Sequence, residues 1–291
     1  MIKFVAVGLS WISLTLLTGT SAEIVWCDEF NGAALDTNHW TFDIGNGPPP
    51  GWGNNELEYY TSRPENVYVS NGLLHIVAAR ERYQASSYTS ARLKTKGFFN
   101  KAYGRFEFRA KLPQGKGFWP ALWLMPQDSA YGHWAASGEI DIMENRGGDP
   151  TKVLGTIHFG GPYPANTHSE GPSFKFSAGD CATNFHVYAL EWCSNSISWF
   201  VDEHLYETQT NWWSCRTATN AAMRSPYPAP FDRPFYIIMN LAVGGNFGGN
   251  PDGDTVFPGE MQVDYVRVYD LPRVALATRE PPRGATINRE N

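Results

Sequence analysis

Apolar and polar residues alternate in short bursts along most of this chain. The clearest bursts are 67–69, 73–79, 105–112, 187–192, 197–201, 235–241 and 261–269, each bounded by Gly, Pro, Asn or Asp. Side chains of period two fall on opposite faces of a strand, so each burst predicts a strand with turns at its ends. No apolar pattern of period 3.6 runs beyond two or three turns, and no internal repeat is present. Many short, turn-punctuated strands predict an all-β sandwich of antiparallel strands. Residues 46–53, with three consecutive prolines, read as a long rim loop, and 210–231 as a second irregular stretch.

The strand pattern fills residues 23–270, read as one domain. The ends differ from it. Residues 1–22 carry Lys3 as their only charge, an apolar run over 4–17 and the small residues Thr20, Ser21 and Ala22. That order of features is a secretory signal peptide, and the run is shorter than a membrane span of about 18 apolar residues needs. The expected location is therefore secreted, extracellular or periplasmic, with no membrane attachment after cleavage. Residues 271–291 contain no aromatic residue and gain Arg and Pro, the composition of a flexible tail or linker remnant.

Composition narrows the partner. The 291 residues carry a net charge of −6, with 18% charged and 14% aromatic residues, 11 of them Trp. An acidic chain offers no basic face to a nucleic acid or an anionic polysaccharide. A neutral, stackable substrate fits better, taken by a monomer. Export permits disulfides, so one or two bridges among Cys27, Cys181, Cys193 and Cys215 are expected, in a pairing that spacing leaves open.

The most informative segment is Gly138-Glu139-Ile140-Asp141-Ile142-Met143-Glu144-Asn145. On a strand, Glu139 and Asp141 share one face and Ile140 and Ile142 the other. Glu144 is five residues from Glu139, so a regular strand would turn it into the apolar layer. A β-bulge near Met143 absorbs the extra residue and returns Glu144 to the acidic face. Three carboxyls on one face repel, and one of them must then hold a proton with a raised pKa, as a general acid does. A solvated acidic strand or a calcium site is the other use of such a pattern.

Trp119 and Trp123 are four residues apart and share a strand face just before this segment, and Trp134 follows them. Indoles stack on pyranose faces while their N–H stays available, so all three are expected to line a cleft. His158 taken alone reads as a hydrogen-bonded structural histidine. No HExxH, GxSxG or GxxxxGK[ST] motif occurs, which leaves no signature for catalytic zinc, a serine nucleophile or a phosphate loop. Residues 244–249, rich in Gly, read as a tight loop at the cleft edge.

Residues 138–145 resemble the catalytic strand of glycoside hydrolase family 16, in its bacterial laminarinase-like form. The resemblance extends to Trp52-Gly53-Asn54-Asn55-Glu56-Leu57-Glu58-Tyr59-Tyr60-Thr61, to Trp119-Pro120-Ala121-Leu122-Trp123, to residues 239–245 and to residues 263–269. It implies a β-jelly roll of two curved antiparallel sheets with a concave cleft. It also implies endo-acting hydrolysis of β-1,3-glucan by a retaining double displacement, with Glu139 as nucleophile, Glu144 as acid/base and Asp141 tuning Glu139. Asn55, Arg92, Trp119, Trp123, Trp134, His158 and Asn240 fall at substrate-binding positions. No cofactor is needed for the chemistry, but a structural calcium ion is implied on the convex side, held by the carbonyls of Glu29 and Gly72 and the carboxylate of Asp264. The ExDxxE spacing is the laminarinase-like form. Mixed-linkage β-1,3-1,4-glucanase activity is the alternative on the same fold. Non-catalytic glucan recognition and transglycosylation stand further off.

Overall fold

The structure, a computed structural model, describes residues 23–217 and 221–271. The expected signal segment and most of the expected tail lie outside these residues. The first nine strands are β1 (Ile24–Asp28), β2 (Thr41–Phe42), β3 (Glu58–Tyr60), β4 (Val67–Ser70), β5 (Leu73–Ala78), β6 (Tyr88–Ser90), β7 (Arg92–Lys94), β8 (Gly104–Lys111) and β9 (Phe118–Pro126). There follow β10 (Glu139–Glu144), β11 (Lys152–Gly160), β12 (Asn166–Glu170), β13 (Phe174–Lys175), β14 (His186–Trp192), β15 (Ile197–Val201), β16 (His204–Gln209), β17 (Phe235–Val243) and β18 (Gly259–Tyr269). Each burst of alternation seen in the sequence falls on one of these strands, with Ala79 and Leu112 one residue past the ends of β5 and β8. The only α-helix among the described residues is one turn, α1 (Gly245–Gly248).

Two large antiparallel sheets form the molecule, as the jelly-roll expectation requires. One runs β16-β15-β14-β8-β18-β5-β4, with β1 also on β18. The other runs β12-β11-β10-β9-β17-β7-β2, with β13 also on β11. The core lies between them. Phe106, Phe108 and Ala110 of β8, Leu74 and Ile76 of β5 and Val266 and Val268 of β18 come from the first sheet. Leu122 and Leu124 of β9, Ile140 and Ile142 of β10 and Ile237, Met239 and Leu241 of β17 come from the second. Burial of these apolar faces is the main force that holds the sheets together.

Register slips occur on β1, β10, β16 and β18, and those on β10 and β18 change which side chains face the core. In β10 the register slips between Asp141 and Met143 against β9 and between Asp141 and Glu144 against β11, the bulge that the acidic spacing predicts. In β18 it slips between Val263 and Tyr265 against β8, so the core residues change parity from Met261 and Val263 to Val266 and Val268. Indole packing fixes the first bulge. Trp199 of β15 crosses the core and donates from Nε1 to the carbonyl of Asp141 at 2.8 Å. Gly155 of β11 makes room for it, because a Cβ there would sit 2.2 Å from the indole.

Cys27, half-buried on the edge strand β1, and Cys181, buried against Leu112 and Pro150, are free thiols, so neither takes part in a bridge of the kind expected. Cys193 N–H donates to the Ser196 carbonyl at the β14–β15 turn, and Cys215 N–H donates to the Gly160 carbonyl.

Candidate active site

The bulge in β10 sets Glu139, Asp141 and Glu144 on one face, where all three line an open cleft with Arg92, Trp119, Trp123, Asn240, Asn54 and Glu56. Its floor is small: Ala121 of β9 and Ala242 of β17 leave the room that larger side chains would fill. Asp141 is 3% exposed, whereas Glu139 and Glu144 are reached from the cleft.

Each carboxyl has its own partner. Trp134 Nε1 donates to Glu139 Oε2 at 2.6 Å, and Trp119 Nε1 donates to Glu144 Oε1 at 2.8 Å. His158, opposite Glu139 on β11, brings Nε2 to 3.3 Å from Asp141 Oδ2, an ion-pair distance off the line of a hydrogen bond. Glu139, Asp141 and His158 each offer an atom within 4.8 Å of the others.

Burial dominates the electrostatics. It raises Glu139 above the usual carboxylate range, with Glu144 adding to the rise and His158 and Trp134 opposing it. Burial and then the charge of Glu139 push Asp141 up to about 7. Burial and then Asp141 push Glu144 up to about 8, the direction that suits a proton donor. For His158 burial works downward, but Asp141, Glu139 and Glu144 outweigh it and bring the imidazole to about 10. It therefore stands as a cation beside the carboxyls.

A second network fixes one flank of the cleft. The Arg92 guanidinium lies between the rings of Trp52 (4.8 Å) and Trp123 (4.6 Å) and pairs with Asp43 at 3.0 Å. Trp123 Nε1 donates to Asn240 Oδ1 (2.7 Å), and Asn240 Nδ2 donates to the Tyr60 hydroxyl (3.0 Å). Tyr60 in turn donates to Glu56 Oε2 (3.3 Å), while Asn54 Nδ2 donates to Glu56 Oε1 (3.1 Å). Buried polar groups tied together in this way hold one geometry.

Of the residues expected from sequence, the three carboxyls, Arg92, Trp119, Trp123 and Asn240 meet in the cleft. Trp134 and His158 flank Glu139, their rings 5.6 Å apart. Asn55 does not join the lining; it is exposed and donates from Nδ2 to Asn246 Oδ1 at 2.8 Å on the rim. Asn54 and Glu56 take its place. The signal was available, because Asn54, Glu56, Glu58 and Tyr60 share one parity. The residues expected to hold calcium lie on the other side. There Glu29 accepts two hydrogen bonds from Arg267 (2.7 and 2.9 Å), and Asp264 Oδ2 accepts one from Arg109 (2.5 Å). Two carbonyls and a carboxylate suit a hard cation, but this carboxylate already has a guanidinium.

Two stacked antiparallel sheets, with buried carboxyls and indoles converging in one open cleft, define a jelly roll of the glycosidase class. The family model described as glycosyl hydrolases family 16 matches residues 54–267, and the chain belongs to that family. The chain is 48% identical over 264 residues to glucan endo-1,3-beta-glucosidase A1 of Niallia circulans, covering 84% of this chain and 37% of that protein. It is 46% identical over 252 residues to a beta-glucanase of Rhodothermus marinus, covering 85% of each. Among solved structures, the laminarinase from Rhodothermus marinus superposes with a TM-score of 0.75 at 44% identity, covering 86% of this chain and 97% of that one.

Proposed function

We infer that the protein is an endo-acting glycoside hydrolase that cleaves β-1,3-glucan of the laminarin type with retention of configuration. One observation carries this reading: the β10 bulge brings Glu144, a carboxyl whose pKa burial raises, to the same face as Glu139. Retaining glycosidases need such a pair. Glu144 protonates the glycosidic oxygen as Glu139 attacks the anomeric carbon, and the C–O bond to the leaving chain breaks. A covalent glycosyl-enzyme results. Glu144, now a carboxylate, takes a proton from water as that water attacks the same carbon and frees Glu139. Asp141 lies between the two and tunes Glu139, with His158 as the countercharge. Arg92, Trp119, Trp123, Trp134 and Asn240 hold the sugar chain, and the indoles stack on its rings. The names of the similar proteins support the β-1,3 assignment.

Export by cleavage after residue 22 belongs to the same proposal, supported by the sequence of that segment. So does a structural calcium ion at Glu29, Gly72 and Asp264, supported by its oxygen donors; Arg109 would have to release Asp264 to it.

Product analysis on laminarin and on barley-type mixed-linkage glucan, side by side, tests the reading, with Glu139→Gln as control. Rapid shortening of laminarin to small oligomers is expected. Preference for the mixed-linkage polymer would move the specificity to the lichenase type. Binding of both without cleavage would make the protein a glucan-recognition module.

A further inference from the structure

The outermost strand on the Glu139 flank carries polar side chains that the mechanism above does not use. Every residue of β12, Asn166-Thr167-His168-Ser169-Glu170, is polar. Its register on β11 pairs Gly160 with Asn166, His158 with His168 and Thr156 with Glu170. Directly opposed residues of an antiparallel pair project from the same face. His158 faces the catalytic carboxyls, so His168 faces the same cleft, and Asn166 and Glu170 share that face at two-residue spacing.

Glu139, His158 and His168 thus form one row perpendicular to the strands. The imidazoles of His158 and His168 are 5.7 Å apart, and His158 is itself packed near Trp134. Strands lie about 4.8 Å apart, which puts His168 about 10 Å from Glu139 across the sheet. His168 and Glu170 are exposed, and no hydrogen bond among the described residues engages the His168 imidazole.

The wall is held in place. On its opposite face Ser169 Oγ donates to Gln209 Oε1 of β16 at 2.9 Å, which ties this edge to the other sheet. The β11–β12 turn closes through Ala165 N–H to the Pro162 carbonyl (2.8 Å), and Tyr163 N–H donates to the Trp134 carbonyl (2.9 Å). A solvent-facing polar row beside the cleft, tied down at Ser169 and at the β11–β12 turn, matches a neutral, hydroxyl-rich ligand.

We propose that the cleft-facing side of β12, His168 with Asn166 and Glu170, is an outer sugar subsite. It takes the next residue of the same β-glucan chain that crosses Glu139 and Glu144. The imidazole offers a face to the pyranose C–H groups and a nitrogen to a hydroxyl, and Glu170 accepts from hydroxyls. The proposal rests on the glucanase reading of the cleft.

Kinetics on β-1,3-gluco-oligosaccharides of increasing length test it, with wild type, His168→Ala and Glu170→Ala compared and their melting temperatures recorded. The ratio of kcat/KM on long to short oligomers should fall about five- to tenfold in His168→Ala, the effect of one lost aromatic contact, and fall in the same direction in Glu170→Ala. An equal loss at all lengths, or none, overturns the subsite. A wild type that cleaves none of the series overturns the glucanase reading and the subsite with it. Cleavage by the wild type without a length-dependent loss overturns the subsite alone.

Discussion

Two of the bulged strands, β10 and β18, differ in fate. In β10 the slip falls between two carboxyl residues, Asp141 and Glu144, and turns the second back to the cleft face. In β18 it falls beside Asp264 and Tyr265 on the opposite sheet, where Asp264 pairs with Arg109 and the Tyr265 hydroxyl donates to Glu107 at 2.9 Å. The backbone device is the same. In β10 the side chains have few neutralising partners and their pKa values rise, whereas β18 gives its carboxylate a guanidinium. A bulge aims side chains; burial decides whether they become acids and nucleophiles.

The comparison breaks most visibly at Glu139. Glu139→Gln should lower kcat by about a thousandfold or more, as removal of a nucleophile does, while glucan affinity is kept. Steady-state kinetics beside glucan binding would show it, and near-normal turnover would end the assignment. Next in size is Trp199→Phe, which leaves the Asp141 carbonyl at the bulge without its donor. An orphaned buried acceptor costs about 1–3 kcal/mol, so denaturant unfolding should show a loss of that order together with a fall in kcat. A stable variant with unchanged turnover would mean the indole does not hold the bulge.

The third effect is on stability against pH. A carboxyl raised from its ordinary range to about 8 in the folded state holds its proton more tightly there than in the unfolded chain. Folding stability therefore falls as pH rises from the ordinary carboxylate value to about 8, and levels above it. Glu144→Gln removes this term, so its melting temperature should gain on wild type across that window and hold the gain at higher pH. A constant difference from pH 5 to 9 would contradict a buried acid. A smaller shift is expected in Trp119→Phe. The indole hydrogen bond favours the ionised form of Glu144, so its removal raises the pKa and moves the alkaline limb of kcat/KM to higher pH. Smallest is Tyr265→Phe at the other bulge. It loses one partly exposed hydrogen bond, costs about 1 kcal/mol in unfolding, and leaves the pH profile where it is.

Much of this arrangement is legible in the sequence. The spacing of Glu139, Asp141 and Glu144 encodes a bulge because carboxyls do not belong in an apolar layer. The long strands are visible because one face of each meets the core. The same logic explains what escapes. β12 shows no alternation because neither of its faces is core, so its polar row is a strand only in three dimensions. Asn55 bears the motif but has left-handed backbone, φ 60°, which turns it to the rim and gives the cleft to Asn54 and Glu56. The parity change in β18 is written as Met261, Val263, Val266 and Val268, and it emerges only once the chain is read for a slip. The cysteines carry no spatial information in their spacing.

The central claim is that the bulge places a nucleophile and a proton donor on one face. The most direct measurement is proton NMR of the anomeric configuration of the first product released from a β-1,3-gluco-oligosaccharide, before mutarotation. Retention predicts the β-anomer first, with the α-anomer growing later. Initial appearance of the α-anomer would contradict attack by Glu139 and require water to act directly.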